Sequence, residues 1–222
     1  MRAFTIAIAG CLAATTALDA SLSGRERRRI TEAAIVLKEI HAIPDKDIPP
    51  DLWSGAACVA VIPGVKKAAF VFGGEYGKGL MSCRRDNDWT APVFMKLGKG
   101  SWGLQIGAQS IDLVLLVMNE AGAEKLLRNK VTLGAEASIA GGPVGRDARA
   151  ATDAQLKAEI LSYSRTQGLF AGVNLSGGIV ESDDDDNEDL YGAGTKAREV
   201  LFRGSVAALP VTEPFMAALR AR

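Results

Sequence analysis

From Ala57 to Met118 the chain is a succession of short apolar runs broken by glycine or polar turns, and this texture restricts it to a sheet-rich fold. Ala57–Ile62, Ala68–Phe72, Leu80–Arg84 and Ala91–Leu97 each have strand length. Pro63-Gly64, Gly73-Gly74, Asp86-Asn87-Asp88 and Gly98–Gly100 punctuate them as turns. Trp102–Gln109 and Asp112–Met118 follow. The second contains Leu113-Val114-Leu115-Leu116-Val117-Met118, apolar at every position, which predicts a strand buried on both faces.

Helical signals flank this region. Arg25 to Ile43 places Ile30, Ala33, Ala34, Leu37, Ile40 and His41 on one side at helical spacing, with Val36 at the margin. Arg25, Arg28, Glu32 and Glu39 take the other side, and the prolines of Pro44–Pro50 end the helix. Asn119 is placed to cap a helix over Glu120–Arg128. Leu156–Tyr163 carries good helix formers, yet a turn at Arg165–Gly168 followed by Leu169–Val173 favours a hairpin. Thr195–Arg203 and the stretch from Thr212 through Phe215–Leu219 predict short helices near the C-terminus. Without βαβ alternation or repeats, the expected class is α+β: one domain with a mostly antiparallel sheet or barrel-like β core, an N-terminal amphipathic helix and short C-terminal helices.

The first twenty residues read differently. Arg2 precedes an almost uncharged run, Ala3 to Leu18, which has the form of an export signal peptide. Two processing routes are open: cleavage after Ala17 or Ala20, or acylation at Cys11 within the lipobox-like Ile8-Ala9-Gly10-Cys11. Either predicts an exported protein, periplasmic or envelope-associated and, by the second route, lipid-anchored. Cys58 and Cys83 then remain; a disulfide and two buried free thiols are both consistent with their apolar surroundings.

Most catalytic and cofactor chemistries find no support. Gly98-Lys99-Gly100-Ser101-Trp102-Gly103 matches a dinucleotide fingerprint in form, but a strand-like run rather than a helix follows it. Gly73–Lys78 has the wrong spacing for a phosphate loop. The single histidine, His41, lies on the apolar side of the first helix, no serine sits in a G-x-S-x-G elbow, and no zinc spacing occurs. No cofactor, metal or catalytic residue is therefore expected, and scattered carboxylates leave a hydrolase as a minor alternative. Lys+Arg and Asp+Glu are equal at 26 each, which argues against a general nucleic-acid binder. The acidic run Glu181–Asp189 lacks EF-hand spacing and reads as a solvated loop, or as a segment in which one acid binds an ion or pairs with an arginine. The run Arg25, Arg27, Arg28, Arg29 is the strongest functional signal. Each cation at an anionic membrane contributes about 1 kcal/mol, so the helix suits shallow membrane docking, and equally suits packing on the sheet with its arginines in water.

Five strings occur in order: CVAVIPGVKKAAFVFGGEYGKGLMSCR from Cys58 to Arg84, WGLQIGAQSIDLVLLVMN from Trp102 to Asn119, GPVGR at Gly142–Arg146, EILSYSRTQGLFAGVNLSG at Glu159–Gly177, and NEDLYG at Asn187–Gly192. Together they resemble the SYLF domain, over about residues 25–219. The resemblance implies a non-enzymatic module that binds anionic phospholipid membrane surfaces through its N-terminal amphipathic helix. It places lipid-binding roles on Arg25, Arg27, Arg28, Arg29 and Lys38, with Lys66 and Lys67 of the PGVKK turn adding charge. For a bacterial-type exported member, actin is not expected as a partner. The alternative is a protein-interaction or scaffold module of the cell envelope.

Overall fold

The computed structural model describes residues 22–42, 47–69, 72–102, 107–128, 130–144, 157–166 and 169–221. The candidate leader with Cys11 lies outside them. Among the described residues ten strands form one sheet: β1 Cys58–Ala69, β2 Phe72–Arg85, β3 Asp88–Trp89, β4 Val93–Trp102, β5 Gly107–Val117, β6 Val131–Thr132, β7 Ile139–Gly141, β8 Ile160–Thr166, β9 Leu169–Gly172 and β10 Ile179–Ser182. Their order is β6-β10-β4-β2-β1-β5-β8-β7, with β3 on β2 and β9 on β8. Every pairing between these strands is antiparallel except β7 with β8. The sheet curls into a half-barrel, as the α+β expectation required, and β8–β9 is the expected hairpin.

Both faces of the central strands are covered, which is why their sequence does not alternate. In β5, Val114 and Leu116 face one apolar core while Leu113, Leu115 and Val117 face the other, and all five are fully buried. The first core lies under α1 (Gly24–His41), whose Ile30, Ala33, Ala34, Val36, Leu37 and Ile40 pack with Phe215, Met216 and Leu219 of the C-terminal helix and with Val59, Val61 and Leu80 of the sheet. The chain starts α1 with Ser23, whose backbone N–H donates to Glu26 Oε2 at 2.6 Å and whose hydroxyl donates to Oε1 at 2.8 Å. A short helix α2 (Pro50–Gly55), unforeseen in sequence, opens on Pro50 and buries Trp53. Asn119 caps α3 (Glu120–Leu126) as expected, accepting from the Gly122 N–H at 2.8 Å.

Several expected turns lie inside long strands. Pro63-Gly64 interrupts β1 as a bulge between Ile62 and Val65 rather than ending it. Gly64 takes φ +60°, and its N–H donates to Asp112 Oδ1 at 2.8 Å. The bulge presses on β2, where a Cβ on Gly79 would stand 2.0 Å from the Val61 carbonyl oxygen. Gly73-Gly74 and Gly98–Gly100 are likewise strand residues of β2 and β4, where Gly74 pairs with Gly100, Gly73 with Ser101 and Gly98 with Tyr76. Only Asp86-Asn87 makes its turn, with φ of 49° and 68° at the two central positions.

The acidic run is not a solvated loop; the other reading, an acid paired with an arginine, holds for Asp186 and Arg29. After Asp183 the run forms α4 (Asp184–Tyr191), and Asp183, Asp186 and Asn187 are buried. Asn187 is locked to β4: its Oδ1 accepts from the Phe94 N–H at 2.7 Å and its Nδ2 donates to the Phe94 carbonyl at 3.1 Å. The chain closes with one π-helical turn (Glu199–Arg203), a 3-10 turn (Pro210–Thr212) and α5 (Glu213–Arg220). Cys58 and Cys83 face each other across β1 and β2 and are joined by a disulfide, their Cα atoms 3.9 Å apart. That resolves the two alternatives the sequence left open. Among the described residues no helix is long and apolar enough to cross a membrane.

Candidate functional site

Beyond the apolar contact between α1 and the sheet, the two diverge and leave an open groove of about 480 Å³. The first two turns of α1 form one wall with Arg25, Arg28, Arg29 and Glu32; β1 and β2 form the other with Pro63, Gly64, Lys66, Tyr76 and Lys78; Asp186 of α4 closes one side. The wall on β2 follows from the two-residue period of a strand. Tyr76, Lys78 and Leu80 share one side, Leu80 in the core beneath α1 and the other two in the groove.

The bulge decides which lysine of β1 joins them. Val61 pairs with Leu80 and Lys66 with Tyr76, so β1 spends one more residue than β2 between those two pairs. Val59 and Val61 point toward α1, and the extra residue moves Lys66 to that side. Lys67 falls on the other side, where its Nζ meets Glu75 at 2.9 Å.

The cations of the groove divide into a floor and a rim. On the floor, Arg29 Nη1 donates to Asp186 Oδ2 at 2.5 Å while its guanidinium lies 5.3 Å from the Phe94 ring centroid. Lys78 Nζ reaches the same Asp186 oxygen at 3.1 Å and Asp183 Oδ2 at 2.5 Å; behind the floor, outside the groove lining, Lys96 Nζ meets Asp183 Oδ1 at 3.3 Å. The Asp183 side chain is only 1% exposed, and burial pushes its carboxyl above the usual range. Burial acts on Asp186 the same way, but hydrogen bonds from Asp183, Arg29 and Lys78 outweigh it and hold Asp186 below its ordinary value. On the rim, the Arg28 side chain is 79% exposed and donates to Glu32 Oε1 at 2.6 Å within the helix. Arg25 and Lys66 are exposed and have no ion-pair partner among the described residues. Tyr76, 53% exposed, stands opposite Lys66 in the strand register.

Of the residues singled out from sequence, the structure gathers Arg25, Arg28, Arg29 and Lys66. Arg27 and Lys38 lie on α1 outside the groove lining, and Lys67 is on the far side of β1. Cys11 lies outside the described residues. Tyr76 and Lys78 carried no binding role in sequence, although the alternation Tyr76-Gly77-Lys78 holds the signal. Asp186 belongs to the acidic run in which one reading has an acid bind an ion or pair with an arginine, and its pair with Arg29 bears that reading out. The apolar face of α1 is spent on the core, so the helix cannot offer that face to a membrane while it is packed.

Comparison with known proteins now places the chain. A family model described as Ysc84, Las17-binding protein actin regulator, matches residues 98–222. The chain is similar to SH3 domain-containing protein PJ696.02 of Schizosaccharomyces pombe, 37% identical over 79% of this chain and 41% of that protein. It is similar to LAS seventeen-binding protein 3 of Saccharomyces cerevisiae, 31% identical over 80% of this chain and 39% of that protein. It is also similar to human SH3 domain-containing YSC84-like protein 1, 30% identical over 77% of this chain and 52% of that protein. The chain thus spans about two fifths to half the length of these relatives.

Two expectations are corrected by these findings. A secreted, signal-peptide-directed protein of the periplasm or cell envelope does not agree with relatives from yeast and human, which have no periplasm and whose names join the domain to SH3 modules or Las17 binding. The exclusion of actin does not agree with a family described as an actin regulator, and nothing in these names supports a lipid partner. The names describe binding proteins, and the ordered strings, the half-barrel with its N-terminal helix and the match over more than half the chain agree: this chain belongs to the Ysc84 family, the SYLF domain family.

Proposed function

We propose that this chain is a non-catalytic, actin-regulating binding module, with its SYLF domain at residues 25–219, that docks an acidic protein surface such as the side of an actin filament in its basic groove. The observation that carries this reading is the pair of uncompensated exposed cations, Arg25 and Lys66, lining one groove beside the exposed Tyr76. Such an arrangement suits recognition of carboxylates, with the tyrosine adding apolar contact. The groove's own carboxylates support a binding rather than a catalytic role: Glu26 is engaged by Ser23, Glu32 by Arg28 and Asp186 by Arg29. His41 is drawn to Asp47, with Nδ1 3.0 Å from Oδ1, and does not line the groove. Co-sedimentation with filamentous actin tests the reading. Reversing both charges in R25E/K66E should weaken binding by about tenfold or more and flatten its salt dependence; binding unchanged by that double variant refutes it.

A second reading keeps the finer expectation of anionic lipid. It is favoured by the exposure of Arg25, Arg28, Lys38 and Lys66, and takes the form of surface attraction without helix insertion, since the apolar face of α1 is buried. Flotation with phosphatidylcholine vesicles, with and without phosphatidylserine, separates the two. Salt-sensitive flotation in the absence of actin co-sedimentation favours lipid.

A further inference from the structure

We propose that Asp186 is a resident counter-anion of the groove, occupying a seat that a partner's carboxylate would otherwise take and so holding the groove's affinity for acidic ligands down. This rests on the reading of the groove as an acidic-ligand site and adds how that site is tuned. Two cations that line the groove converge on one oxygen: Arg29 Nη1 at 2.5 Å and Lys78 Nζ at 3.1 Å from Asp186 Oδ2. An arginine and a lysine closing on one carboxylate oxygen, at the wall of an open groove, is the arrangement by which an incoming carboxylate is gripped.

The two cations are not equally dependent on Asp186. Lys78 keeps Asp183 at 2.5 Å when Asp186 is neutralised. Arg29 has Asp186 as its only carboxylate partner among the described residues, and its guanidinium keeps its contact with the Phe94 ring, 5.3 Å from the centroid, when Asp186 is neutralised. Loss of the Asp186 charge therefore presents Arg29 to the groove as a third uncompensated cation beside Arg25 and Lys66, already positioned. Asp185, next along α4, is exposed and lines a separate depression with Lys96 and Lys130, so it shares the chain charge of Asp186 but not its place.

The test uses the full chain and a fluorescent ten-residue oligoglutamate at low salt, read by anisotropy. D186N should bind about threefold to tenfold tighter than the wild type, a gain of the size expected for one unit charge at the edge of water. D185N should change binding by less than about twofold, its exposed carboxylate lying outside the groove lining and screened by water and salt. In R29Q/D186N the gain should vanish. D186S serves as a second neutral replacement, and thermal melting selects the one that keeps the fold. Equal affinities for D186N and D185N, or a gain that survives R29Q, overturn the proposal; so does a failure of both wild type and D186N to bind the probe. The partner assignment fails separately: actin co-sedimentation indifferent to R25E/K66E, with D186N still gaining oligoglutamate affinity, removes actin and keeps the counter-anion. Weakened actin binding in R25E/K66E with no gain in D186N does the reverse.

Discussion

Arg25 and Arg29 stand one helical turn apart on α1 and line the same groove, yet they do different work. Arg29, 15% exposed, is bound to Asp186 and lies over Phe94, part of an ionic floor that ties α1, β2, β4 and α4 together. Arg25 is exposed and uncompensated at the rim. Identical side chains therefore carry different amounts of available charge, because the partners that neutralise one of them arrive from more than a hundred residues away. A count of arginines measures the potential of a surface. Only the residues facing each arginine set how much of it a ligand meets.

Four outcomes sharpen or break that contrast. The largest concerns the apolar side of α1, which packs on the sheet beside the groove. Leu37→Ala should cost about 3 kcal/mol in urea denaturation, since Leu37 is fully buried between the sheet and α5; a negligible loss would mean that α1 is a surface helix and floor and rim do not differ. Next is Asp183→Asn, which leaves Lys78 with Asp186 as its carboxylate partner and takes from Lys96 its contact with Asp183. A loss of about 2 kcal/mol is expected, below that for a fully buried pair because both lysines are 26% exposed. A rise in stability would mark the floor as a net burden.

A smaller effect is expected on acidification. The Asp186 carboxyl is held below its ordinary value in the folded protein, so its contribution is fully present above that ordinary value and is lost as pH falls through the depressed one. The Tm difference between wild type and D186N should accordingly narrow at pH below about 4. A gap that widens there would reverse the assigned direction. Smallest in stability, but decisive for binding, is the pair Lys66→Gln and Lys67→Gln. Each should change stability by under about 0.5 kcal/mol, as exposed substitutions do. Only Lys66→Gln should weaken oligoglutamate binding, and equal effects from both would show that the bulge does not sort the two lysines.

Much of the fold could be read along the chain because burial leaves a local imprint. The apolar stripe of α1 fell where expected, down to Ile30, Ala33, Ala34, Leu37 and Ile40, and the unbroken run Leu113–Val117 is buried on both faces. Glycine misled. Gly73-Gly74 and Gly98–Gly100 read as turns on local propensity, yet both continue strands because β2 and β4 pair in unbroken register through them, Gly74 facing Gly100, Gly73 facing Ser101 and Gly98 facing Tyr76. The acidic run was legible in part. One of its readings, an acid paired with an arginine, holds for Asp186 and Arg29, whereas its charge also suggested a solvated loop, and the cations that draw Asp183 and Asp186 inward come from α1, β2 and β4.

The sequence by itself determined the strand content, the helix with its apolar stripe and arginine-rich first turns, and membership of a family through strings that persist in order. Tertiary structure alone decided which charges remain for a ligand. A strand shows alternate residues to alternate faces, so the single extra residue at Pro63-Gly64 sends Lys66 to the groove and Lys67 away from it, and no local propensity reports that parity. Ion pairing is likewise set by distance in space, and folding places Asp186 on Arg29 while leaving Arg25, one turn away, open to water.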